Sequence, residues 1–91
     1  MNQDEIQISR SDLKDLLHLA RDAVGRMKYQ VMSDSGHVEN MRHGLTFENR
    51  EEVRKLTLDA IETMTALIER LRTRVPQAEI LIQRISLLLG E

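Results

Sequence analysis

The sequence predicts an all-α fold: a long antiparallel helical hairpin plus a shorter apolar C-terminal helix, a three-helix bundle completed by dimerisation. Three observations predict it. Apolar residues recur at helical spacing along most of the chain. Four glycines and one proline are too few for the many turns of an all-β design. Pro76 to Leu89 (PQAEILIQRISLLL) carries more apolar surface than a helix lying on a small monomer can bury.

The first helix is expected over about 9–32. Ser9 is a good N-cap, with Asp12 three residues on. Leu13, Leu16, Leu17, Ala20, Ala23, Val24, Met27 and Val31 form one stripe, about 120° wide at 100° per residue. Asp12 and Asp15 come early and Arg26 and Lys28 late, as the helix dipole prefers.

Residues 33–48 break the pattern. Gly36 and Gly44 bracket a short stretch carrying Val38 and Met41, and Ser33, Asp34 and Ser35 are turn formers. A loop or short extra helix is expected there. The second helix is expected over about 49–72, capped by Asn49 with Glu52 three residues on. Its apolar face holds Val53, Leu56, Ala60, Ile61, Met64, Leu67, Ile68 and Leu71, at a spacing like that of a coiled coil. Thr73 and Pro76 then suggest a break, because proline lacks the amide proton a helix interior needs. The third helix, about 76–89, would fold back on the first two. One stripe (Ala78, Leu81, Ile82, Ile85, Leu88, Leu89) would face them, and a nearly opposite patch, Ile80 and Leu87, would meet another chain. Arg84 belongs to that same expected interface.

Composition narrows the function classes. Ninety-one residues make a single domain, 1–91, with 41% hydrophobic and 31% charged residues. Tyr29 and Phe47 are the only aromatics, so the core is aliphatic and methionine-rich. A net charge of −2 gives no general pull toward nucleic acid or anionic membrane. Without cysteine there is no disulfide or thiolate chemistry, which fits a reducing compartment. The polar, acidic N-terminus is unlike a signal peptide, and the longest apolar run is too short to span a bilayer. The expected location is cytoplasmic.

Candidate chemistry is sparse. His37, Glu39 and His43 are metal-ligating types, but their spacing matches no established ligand pattern and spreads the histidines off a shared helix face. No metal or cofactor is expected. Arg70, Arg72 and Arg74 could grip phosphate, RNA or an acidic protein surface, although arginines closing a helix also complement its dipole. The third helix is too apolar to read DNA bases. No nucleophile–base set or phosphate-cradling loop occurs.

The expectation is a small non-enzymatic protein-interaction module: an adaptor, regulator or inhibitor that binds and occludes a larger protein. It is expected to form a homodimer. The chain has the general look of small accessory proteins encoded by bacteriophages and mobile elements. The alternative is nucleic-acid or phosphate binding through Arg70, Arg72 and Arg74.

Overall fold

A computed structural model describes residues 7–91. The first six residues of the polar N-terminus lie outside the described residues. Two helices make up the fold: α1, Arg10–Leu45, and α2, Glu51–Leu89. They run antiparallel through a five-residue connection, giving a molecule 66 × 26 × 15 Å. All-helical character and the antiparallel hairpin are as expected. The three-helix bundle is not: there is no third helix among the described residues, and the molecule is elongated.

Of the two expected breaks, that at Pro76 is absent and that at 33–48 is reduced to the connection after Leu45. Residues 33–45 continue α1, because the seven-residue spacing Leu17, Val24, Val31, Val38, Leu45 keeps one row of apolar side chains on α2. Val38 packs with Ile61 and Ile68, and Val31, Met41, Leu45 and Met64 pack against that cluster. A Gly within a helix costs only ~0.5–1 kcal/mol relative to Ala, less than that burial returns. Pro76 likewise sits inside α2 rather than starting a new helix. It points outward and is exposed, while its neighbour Val75 is buried in the seam. The lost amide hydrogen bond is offset by seam contacts on both sides of the proline.

The helix ends show local chemistry. The Ser9 side chain accepts from the Asp12 amide (3.0 Å), the cap the sequence predicts. The second helix starts slightly later than expected, with Arg50 rather than Asn49 at the cap position and no side-chain cap bond. Glu48 instead organises the turn, accepting from the Arg50 amide (2.9 Å) and guanidinium (2.9 and 3.2 Å). Those bonds hold its carboxyl down at about 2, from an ordinary 4.5. Gly90 ends α2 in the left-handed conformation (φ 77°), and the Glu91 amide reaches back to the Ser86 carbonyl.

Arginines tie the hairpin at both ends. The Arg10 guanidinium donates to the Leu89 carbonyl (2.6 Å), and that of Arg54 to the carbonyls of Leu45 (2.6 Å) and Glu48 (3.0 Å). Each helix thus has last-turn carbonyls neutralised by a cation from the first turn of the other.

Candidate interaction surface

A single heptad frame describes both helices. Position a runs Arg10, Leu17, Val24, Val31, Val38, Leu45 in α1, and Arg54, Ile61, Ile68, Val75, Ile82, Leu89 in α2. Position d runs Leu13, Ala20, Met27, Asp34, Met41, and Thr57, Met64, Leu71, Ala78, Ile85. All seven buried side chains among the described residues (Leu17, Val24, Val38, Ile61, Ile68, Val75 and Leu89) belong to row a. Every residue of row d is only half-buried. The seam between the helices is therefore closed along row a and more open along row d.

Helical geometry explains the asymmetry. Residues four apart stack on one side of a helix, so e flanks a and g flanks d. Row e is long and charged over much of its length: Lys14, Arg21, Lys28 and Arg42 in α1, Arg72 and Glu79 in α2. Arg21, Lys28 and Glu79 reach across row a. Lys28 pairs with Glu79 (3.6 Å), and Arg21 reaches Ser86 Oγ (3.3 Å) and Glu91 (3.9 Å). Their aliphatic stems cover the seam while the charged ends stay in water. Ser35 and Thr65, too short to cover it, leave a shallow hollow of about 160 Å³ floored by Val38 and Ile68, and a second hollow of about 200 Å³ lies over Val31 and Val75 between Lys28, Arg72 and Pro76. The arginines on the rim of the first, Arg42 and Arg72, are held by Glu39 (3.5 Å) and Glu69 (3.0 Å).

Row g lacks such covers. In α1 it reads Leu16, Ala23, Gln30, His37, Gly44; in α2, Val53, Ala60, Leu67, Arg74, Leu81, Leu88. The g rows of the two helices lie on the same side of the hairpin. Met41 and Gly44 of α1 share one hollow with Val53 and Thr57 of α2. Leu81 and Leu88, expected to pack on the rest of the bundle, are 55% and 73% exposed. Rows d and g together form one face that runs the length of both helices, apolar at its two ends and polar near its middle. There the Gln30 amide donates to Asp34 (2.8 Å), and Arg74 projects from α2.

The other candidate residues are dispersed. Ile80 and Leu87 lie on the outer side of α2, away from α1, 51% and 70% exposed. Arg84 lies between that patch and row g and is exposed. Arg70 and Arg74 are one turn apart on one side, but Arg72 points to the opposite side, where Glu69 holds it. The three arginines do not converge. His37, Glu39 and His43 are exposed and likewise fan out: Glu39 pairs with Arg42, and the His43 ring stacks edge-on against Phe47 (5.2 Å). Among the described residues, no three His, Asp or Glu side chains are grouped as metal ligands. No described helix is long and apolar enough to cross a membrane.

The d/g face is not among the surfaces the sequence predicts, although its residues lie within the predicted stripes. The signal was stripe width: a two-helix seam uses two heptad positions, and these stripes fill three. No protein-family model matches the chain, and no curated protein or solved structure matches it.

Proposed function

We infer that this protein is a non-enzymatic protein-interaction module that works through the d/g face. The observation that supports the reading is the one-sided seam. Row a is buried beneath charged residues that shield it, while row d stays half-open beside an uncovered apolar row g. Extended apolar surfaces on soluble proteins mark binding sites. The described surface offers no deep, enclosed pocket of the kind small-molecule chemistry uses. The face spans over 40 Å of helix, which suits an extended protein partner better than a small ligand. In this reading an adaptor, regulator or inhibitor role belongs to the assembly that the face builds.

A photoreactive amino acid placed singly at Leu67, Leu81 or Leu88 tests this in cells. The same residue at Leu58, on the charged side, or at Ile80, on the outer side, serves as control. Protein adducts are expected from the three face positions and not from the controls. Equal labelling from both sets, or none from the face, would sink the reading.

A further inference from the structure

We propose that the d/g face is covered by a second copy of this chain, the two hairpins packing face to face as a four-helix bundle. This rests on the face being a protein-binding surface and names its occupant. Three observations select a second copy over another protein.

The first is area. A compact folded chain of this mass exposes roughly 5,500 Å², whereas this one exposes 7456 Å². The excess, roughly 2,000 Å² by that scaling, is spread over an elongated hairpin and leaves room on the open face for the ~800 Å² per partner of a standard interface.

The second is the repeat itself. Apolar side chains at a, d and g are the pattern of a helix with two apolar neighbours. Here a and d meet the hairpin's other helix, which leaves d and g for the second neighbour. The open side belongs to both helices and runs almost their full length. Its cover must therefore supply two helices of 36 to 39 residues, as another copy does.

The third is charge. The d and g rows carry one acid, Asp34, and one permanent base, Arg74, both near mid-length and on opposite helices. Gln30 donates to Asp34 and keeps its own carbonyl oxygen as an acceptor. Packing α1 of one copy on α2 of the other, with both turns at the same end, brings Arg74 of each copy to Gln30 and Asp34 of the other. Each copy then meets its opposite charge twice over, and the leucines at the open end, Leu16, Leu81 and Leu88, share one apolar cluster. A single polar layer of this kind sets register in helical bundles.

Sedimentation equilibrium of the full chain at micromolar concentration, with circular dichroism to follow folding, tests the proposal. Wild type is expected at twice the chain mass. Leu81→Lys and Leu67→Lys should fall to the single-chain mass, or lose helix in step with dissociation as the protein is diluted. Leu58→Lys and Ile80→Lys should keep the double mass. Arg74→Asp should weaken association by at least tenfold, and adding Asp34→Arg to it should restore part of the loss. A wild type of single-chain mass, or dissociation from the Ile80 side alone, overturns the proposal. If the wild type is monomeric while the photoreactive positions still capture a different protein, only the identity of the occupant falls. If neither association nor capture occurs, both readings fall.

Discussion

Arg10 and Arg54 do the same work at opposite ends of the hairpin: each brings a cation to the carbonyls that close the other helix. The turn between the helices depends on a second pair, Glu48 and Arg50. Glu48 has its carboxyl lowered from 4.5 to about 2 by the bonds it accepts from Arg50. A depressed folded-state value means the carboxylate stabilises the folded chain above about pH 4.5, and that this contribution is lost as pH falls toward 2. Glu48→Gln removes it. The stability gap between wild type and Glu48→Gln, measured by urea unfolding, is therefore expected to be present at neutral pH and to close as the pH drops from 4.5 to 2. A gap that stays constant over that range would show that the turn does not use the ionised carboxylate.

At the scale of the element, α1 is one helix because its row-a spacing outweighs the local weakness of 33–45. Val38 sits three heptads beyond Leu17, so its burial depends on unbroken helix between them. Gly36 faces solvent there, and a Cβ added to it meets nothing within 4 Å. Gly36→Ala is expected to stabilise the protein by about 0.5–1 kcal/mol, through backbone entropy alone. Thermal unfolding followed at 222 nm reads this out. Destabilisation would show that α1 needs a flexible joint at that point. Pro76 follows the same logic in α2, where Leu71 and Ala78 keep the seam running past the missing amide proton.

For the whole molecule, the side of the seam decides what a residue is worth. Ile68 and Leu58 are aliphatic, of similar size, on the same helix. Ile68 lies in row a at 4% exposure and Leu58 in row e at 51%. Ile68→Ala is expected to cost about 2–5 kcal/mol through the cavity it leaves. Leu58→Ala should cost under about 1 kcal/mol, as surface truncations do. Denaturant midpoints of the two variants compare them directly, and equal losses would contradict the burial of row a beneath row e. An elongated hairpin with seven buried side chains among its described residues has little core for its surface. The open face and the large exposed area are therefore two views of one property.

The sequence by itself determined the helical class, the Ser9 cap and the stripes, because these depend on local propensity and on residue spacing along one chain. Its apolar positions in the three expected helices are largely the a, d and g rows seen in the structure. The sequence predicts breaks over 33–45 and at Pro76 because glycine and proline act locally, whereas the seam that overrides them is made with residues of the other helix. Only the tertiary structure decided which part of each stripe is covered. One helix has room to bury about two heptad positions against a single partner, and the charged e row closes the side of the a row. What remains open is the d/g side, a fact no single helix contains.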